Sequence, residues 1–493
     1  MKKYRSLLLT IGVIVAAVLI LVVIGFNLHN ALLFFPVSTI SDDSGGAIIA
    51  WQNTKGIYVQ HIDSSGKVLW QKGGLLVTNT GMIIDSLVMM QTGFTMVSDG
   101  LGGAIVAWAG ESTTSTKTNN RENFAPLTIY TQRISSTGKL MWQNTVISTG
   151  NNWQIVSNGD GGAIIAWDNF KPYYEASHND SLCLQKIAPD GALLWGNPGL
   201  TLVTSSPFQP SIPNEIATGN FGMYNRAFPT YTGTQDIVTD GDGGVIVIWE
   251  EEGEQDANQV FAQRVNSQGN SVCSKNTLVG TGTYQYNSLR SDGSGGAFLA
   301  LQAPDQGVTY QEQVGQNGEL LGLNQYYPYS VSDGSGGSIS ASLVLVHPDM
   351  SSSLVYDILN IQRSDSKGSP VWPEKQVFSS QLGYEIINLQ CTTDDNGGIF
   401  LTWQIEKRDV AAGIIYVQRV DAAGNILFGD AGTNVFGTPD KYQGHDSILS
   451  DNSGGIFVVA PNHNGAFGGN RICIQHIGSS GNRLWGTSIQ LDQ

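Results

Sequence analysis

Short apolar runs recur along this chain behind one fixed polar preamble. A tract of the form Ser/Thr-Asp/Asn-x-x-Gly-Gly leads into such a run eight times. The copies read SDDSGGAIIAW from Ser41, SDGLGGAIVAW from Ser98, SNGDGGAIIAW from Ser157 and TDGDGGVIVIW from Thr239. They continue as SDGSGGAFLAL from Ser291, SDGSGGSISAS from Ser332, TDDNGGIFLTW from Thr393 and SDNSGGIFVVA from Ser450. A short run that is apolar on both faces reads as a strand covered on both sides. The Asp or Asn caps its own turn, and the Gly pair supplies positive φ angles where a Cβ would clash, so a tight hairpin is expected before each run.

A second signature follows each tract, as in IYVQHIDSSGKVLW from Ile57, IYTQRISSTGKLMW from Ile129 and ICIQHIGSSGNRLW from Ile472. Its Gly, preceded by Asp, Ser or Asn, turns a third strand into a fourth. Successive Gly-Gly pairs lie 41 to 82 residues apart. A core of roughly 45 residues with variable insertions has the size of a four-stranded propeller blade. The pattern therefore predicts an all-β fold, an eight-bladed β-propeller of four-stranded blades over 38–493.

Three repeated side chains carry the packing argument. Trp51, Trp108, Trp167, Trp249 and Trp403 end the second strand, and Trp70, Trp142, Trp195, Trp372 and Trp485 sit on the fourth; such regular aromatics are expected to wedge between blades. Gln60, Gln132, Gln185, Gln263, Gln362, Gln418 and Gln475 share one position of the third strand, with Glu312 in the remaining copy. Their amides both donate and accept, which suits backbone groups between adjacent sheets. Arg133, Arg264, Arg363 and Arg419 come next, pointing to the other strand face as charge partners for turn acids.

Ahead of the repeats, residues 6–26 (SLLLTIGVIVAAVLILVVIGF) carry no charge. Their length matches a hydrocarbon core of about 30 Å, which predicts a transmembrane helix. Lys2, Lys3 and Arg5 mark 1–5 as the cytoplasmic N-terminus. Residues 27–37 then form a linker, and the propeller is extracytoplasmic on the cell membrane. A cleavable signal peptide competes, but its apolar region is shorter and ends in a small-x-small site, which is not evident after Phe26.

Composition sharpens this picture. Sixty Gly, 17 Tyr, 17 Phe and 11 Trp with 13% charged residues suit many short strands and tight turns. The net charge of −16 repels phosphate backbones, so nucleic acid is excluded as a partner. Cys183, Cys273, Cys391 and Cys473 form no metal-ligand spacing and read as small core residues. The Asp pairs Asp240/Asp242 and Asp394/Asp395 hint at Ca²⁺, yet other copies keep the turn without the second acid, so no metal is expected. His61 and His476 share one repeat position, which points to structure.

The order of these signatures, carried best by IDSSGKVLW at 62–70 and ISSTGKLMW at 134–142, resembles the repeat of quinoprotein-like propellers and related outer-membrane assembly propellers. The resemblance implies eight blades. The cofactor residues of the quinone-dependent enzymes do not carry over, since no two cysteines here are adjacent, and no cofactor is expected.

In a four-stranded blade the a–b and c–d turns share one face, and the b–c and d–a loops share the other. The long insertions, 109–128, 168–180, 206–236 and 250–258, fall on that second face of blades 2 to 4, and insertions mark the working surface of repeat folds. They carry Phe170, Tyr173, Tyr174, Phe208, Phe221, Tyr224, Phe228 and Tyr231 beside Glu250, Glu251 and Glu252. Rings that stack and carboxylates that accept hydrogen bonds suit a glycan or a protein ligand. The expected function is thus a membrane-anchored binding scaffold; the alternative is an extracytoplasmic glycoside hydrolase or quinoprotein-like dehydrogenase with its site in the central channel.

Overall fold

The structure, a computed structural model, describes residues 37–492 apart from 54, 80–92, 111–126, 143, 170–180, 205–230, 253–257, 274–275, 282–284, 293, 303–308, 326–328, 336, 347–354, 366–368, 408–412, 438–446 and 464–469. The apolar segment 6–26 lies outside the described residues, as do most of the loops predicted to bind.

Eight four-stranded antiparallel blades follow one another. Blade 1 holds β1–β4 (Val37–Ser41, Ala47–Asn53, Gly56–Ile62, Leu75–Thr78). Blade 2 holds β5–β7 (Phe94–Ser98, Ala104–Gly110, Leu127–Ile134) and the first half of β8 (Thr145–Ser157). The second half of β8 opens blade 3, which continues with β9–β11 (Ala163–Asn169, Ser181–Ile187, Leu200–Thr204). Blades 4 and 5 are β12–β15 (Tyr231–Thr239, Val245–Glu252, Asn258–Val265, Thr277–Thr281) and β16–β19 (Gln285–Ser291, Ala297–Gln302, Thr309–Val314, Leu320–Gln325). Blade 6 is β20–β23 (Tyr329–Ser332, Ser338–Val346, Tyr356–Ser364, Pro370–Ser379). Blade 7 is β24–β27 (Tyr384–Thr393, Ile399–Lys407, Gly413–Val420, Thr433–Asn434), and blade 8 is β28–β31 (Ser447–Ser450, Ile456–His463, Asn470–Ile477, Ile489–Asp492).

First strands of neighbouring blades lie against one another, from β1 through β5, β8, β12 and β16, and again from β20 through β24 and β28 to β1. These strands surround the axis. Second strands are buried on both faces: Ala47, Ile48, Ile49 and Ala50 are wholly enclosed, as are Ala163, Ile164, Ile165 and Ala166. The Gly pair divides its labour. The first Gly, such as Gly45 at φ +82°, takes the left-handed conformation, whereas a Cβ on the second, such as Gly46, would strike the carbonyl of Ile62 at the end of the third strand.

The tryptophans do wedge between blades. Trp108 and Trp403 pack back on the preceding blade, while Trp70, Trp142 and Trp372 pack forward on the next. Trp51 stacks on Tyr58 directly across the strand pair, with centroids 5.8 Å apart, and Trp108 on Tyr130 and Trp249 on Phe261 repeat that geometry.

The glutamines act otherwise than their spacing suggested. Gln60 donates to the carbonyl of Gln71 and accepts from the amides of His61 and Trp70, all within its own blade. Gln185 and Gln418 repeat this with Gly196 and Gly429 as acceptors. The fourth strand meets the third only at a bridge, Ile62↔Val68, and again from Val59↔Leu75 outward. The side-chain amide replaces the backbone partners lost across that gap, so it joins two strands of one sheet rather than two sheets.

The ring closes without exchanging a strand. Blade 8 packs face to face on blade 1, with Phe457, Val459, Ile472, Ile474 and Trp485 against Ala47, Ile49, Trp51 and Ile62.

Candidate binding face

The a–b and c–d turns crowd one face, and the chemistry that recurs from copy to copy is spent there. In blade 7, Asp394 accepts through Oδ1 from the amides of Asn396 and Gly398 at 2.9 and 2.6 Å. Its Oδ2 pairs with Arg419, whose Nη1 reaches on to the carbonyl of Gly454 in blade 8. Asp99–Arg133, Asp240–Arg264 and Asp333–Arg363 are built alike. Their arginines continue to the carbonyls of Pro189, Gln316 and Ala422, one turn position in blades 3, 5 and 7, each the blade next to its arginine. The expected charge partners are therefore real, and each arginine also staples its blade to the next.

Four copies vary the theme consistently. Where Asn158 replaces the acid, Lys186 turns to Gly243 O at 2.8 Å. Asp292 takes Gln313 instead of a cation. Asp42 and Asp451 take His61 and His476 at 2.7 and 2.8 Å, which accounts for the shared position of those histidines. Burial raises the Asp451 carboxyl, but hydrogen bonds from His476 and the amides of Ser453 and Gly455 outweigh it and hold the group at about 2. Three of the four acids that hinted at calcium are committed as well: Asp240 and Asp394 use both oxygens, and Asp242 pairs with Arg264 at 3.2 Å. Among the described residues no group of three or more His, Cys, Asp or Glu is placed to hold a metal.

Near the axis, Arg290 of β16 donates to the carbonyl of Ser330 in β20 and lies 5.4 Å over the ring of Phe298. Burial pushes the nearby Cys391 thiol up to about 11 against the attraction of Arg290, so it stays protonated at neutral pH. Cys183, Cys273 and Cys473 are buried free thiols.

The opposite face carries the b–c and d–a connections. Phe170, Tyr173, Tyr174, Phe208, Phe221, Tyr224 and Phe228 lie outside the described residues. Tyr231, Glu250, Glu251 and Glu252, read as parts of insertions, belong instead to strands: the β12–β13 ladder runs on to pair Tyr231 with Glu251 and Gly233 with Glu250. The two segments pair with each other, which shortens both insertions. Glu251 accepts from the indole of Trp249 at 2.8 Å. The equivalent indole nitrogens of Trp51, Trp108, Trp167 and Trp403 are buried with no partner among the described residues. An acid two residues after the tryptophan was the signal for that bond, and it is present in blade 4 alone of these five.

Comparison with known proteins gives fold-level likeness. No protein family matches the chain, and no curated protein matches it either. Among solved structures, an ulvan lyase of a new polysaccharide lyase family, bound to an oligosaccharide of GlcA(1-4)Rha3S, aligns at 12% identity and TM-score 0.43 over 78% of this chain and 93% of its own. A eukaryotic initiation factor aligns at 10% identity and TM-score 0.41 over 92% and 87%. Prolyl oligopeptidase B from Galerina marginata aligns at 11% and 0.41, with this chain spanning 51% of that enzyme's length. Likenesses this distant carry no argument about activity, and none of them marks the chain as quinoprotein-like.

Proposed function

We propose that the protein is a membrane-anchored, extracytoplasmic propeller scaffold that binds a protein or a glycan through the b–c and d–a loops of blades 2 to 4. One contrast carries the reading. On the turn face the acids, cations and several fourth-strand indoles of the repeat are engaged with one another and with the neighbouring blade. Length and composition vary on the other face, where aromatic and acidic residues gather in 168–180, 206–236 and 250–258. A surface free to vary on a rigid ring is where a repeat fold places recognition.

Residues 30–493 screened against glycan and envelope-protein arrays should retain a ligand, and Tyr173→Ala with Tyr174→Ala should weaken retention without shifting the melting temperature. Assays for hydrolase and dye-linked dehydrogenase activity run beside it; turnover in either would replace the scaffold with an enzyme.

A further inference from the structure

Blade 6 departs from the other seven where its second strand leaves the ring. Past the tryptophan position the other blades carry no run of adjacent aliphatic residues: Gln52-Asn53, Ala109-Gly110, Asp168-Asn169, Glu250-Glu251-Glu252, Gln302, Gln404-Ile405-Glu406 and Pro461-Asn462. Blade 6 has Ser342 in place of the tryptophan, followed by Leu343, Val344, Leu345 and Val346. This stretch is paired strand, with Leu343 opposite Leu359 and Leu345 opposite Asp357. Ile339 and Ala341, on the same strand face as Leu343 and Leu345, are buried in the seam with blade 7. The apolar stripe thus runs out of the core into solvent, where Leu343 and Leu345 are 36 and 51% exposed, and Val344 on the other strand face is 43% exposed. Leu382, also 51% exposed, lies in the turn that Asp357 braces through Ser380. Three consecutive exposed aliphatic residues on a regular strand are a fault unless they are used.

The direction of the chain says what covers them. β1 runs from Val37 towards the turn at Asp42, so the 36 residues before Val37 leave from the b–c and d–a face, the face on which the blade 6 hairpin projects. Residues 27–36 span at most about 36 Å. If 6–26 crosses a bilayer, this face looks at it within that reach.

We infer that the Leu343–Leu345 hairpin end of blade 6 rests in the lipid surface to which the chain is anchored. This rests on the anchoring part of the proposed function. Apolar burial drives the contact, because no charge lies between Ser342 and Val346 and a net charge of −16 opposes anionic headgroups. A ring tethered at blade 1 and supported at blade 6 is tilted. The arc of blades 6, 7, 8 and 1 faces the bilayer, and the insertion-bearing blades 2 to 4 are raised towards a partner.

The test places a bimane label at Val344→Cys, in a Cys391→Ser background, on the full chain in phosphatidylcholine vesicles that contain brominated lipid. A control label goes at Leu101→Cys, 57% exposed in the a–b turn of blade 2 on the opposite face. A second arm tethers residues 37–493 to the same vesicles through an N-terminal histidine tag on a nickel-chelating lipid; this ring closes without any residue before Val37. Quenching at 344 several-fold above that at 101, in both arms, is the expected result. Equal quenching at the two sites in both arms overturns the hairpin contact while leaving the anchor intact. Loss of the full chain from the vesicles with quenching kept in the tethered arm overturns the anchor and not the hairpin. Protection of 344 that depends on protein concentration and not on lipid marks a second copy of the chain and also overturns the proposal.

Discussion

Two seams of the ring are built from the same bonds on different chain connectivity. Between blades 2 and 3, β8 passes unbroken from one sheet into the next. Arg133 and the Trp142 indole both donate to the carbonyl of Pro189 at 3.0 Å. Between blades 8 and 1 no strand is shared, yet His476 and the Trp485 indole both meet the carbonyl of Ser64, the same turn position, at 3.3 Å. The closing seam adds two bonds of its own. Asn452, at φ +58°, donates through its side-chain amide to Ser41 at 3.3 Å and to Asp43 at 3.5 Å, where most blades place Gly and have no side chain to offer. A ring of like units closes by using its last copy as the predecessor of its first, so each repeat must carry both halves of the seam.

The largest effect that separates the two seams comes from removing the side chain that pairs with the turn acid. His476→Ala and Arg133→Ala each leave a buried carboxylate without its side-chain partner, at a cost of about 3–5 kcal/mol. With β8 still joining blades 2 and 3, Arg133→Ala should lower stability without opening that seam. His476→Ala should raise hydrogen exchange selectively in β1–β4 and β28–β31. Uniform exchange in both variants would erase the distinction.

Acid acts next. The carboxyl of Asp451 sits at about 2 in the folded chain against 3.8 for a free one. A lowered value stabilises above the unfolded value and is lost as pH falls through the folded one. About 2 kcal/mol should therefore disappear between roughly pH 4 and pH 2. Denaturant titrations over that window should flatten in Asp451→Asn.

The smallest effect is that of Asn452→Gly. It relieves a left-handed conformation that costs a non-glycine residue about 1–2 kcal/mol, and it removes two long, exposed cross-seam bonds worth about 1 kcal/mol together. Net stability should move by less than about 1 kcal/mol, while exchange at the amide of Asp43 should quicken. A large loss would show that the seam depends on this side chain rather than on packing.

Much of this was legible in the sequence, and the limit falls at a physical boundary. Asp394 bonds amides two and four residues ahead, and Gly45 and Gly46 serve their own turn, so those roles can be read within one repeat. The glutamines were harder. Their gap opens only once the fourth strand's path is known, and spacing cannot show that path. The candidate face was half legible: its side of the ring follows from strand order, but Glu250 and Glu251 proved to be strand residues because Tyr231 and Gly233 arrive opposite them.

The sequence alone determined the blade, since its turns, apolar runs and aromatic pairs are bonds among residues a few places apart. Tertiary structure alone decided which carbonyl each cation reaches, that residue 476 meets residue 64, and which face the chain leaves at Val37. Those partners lie tens to hundreds of residues away. Their approach depends on small rotations accumulated around eight blades, which no local spacing records.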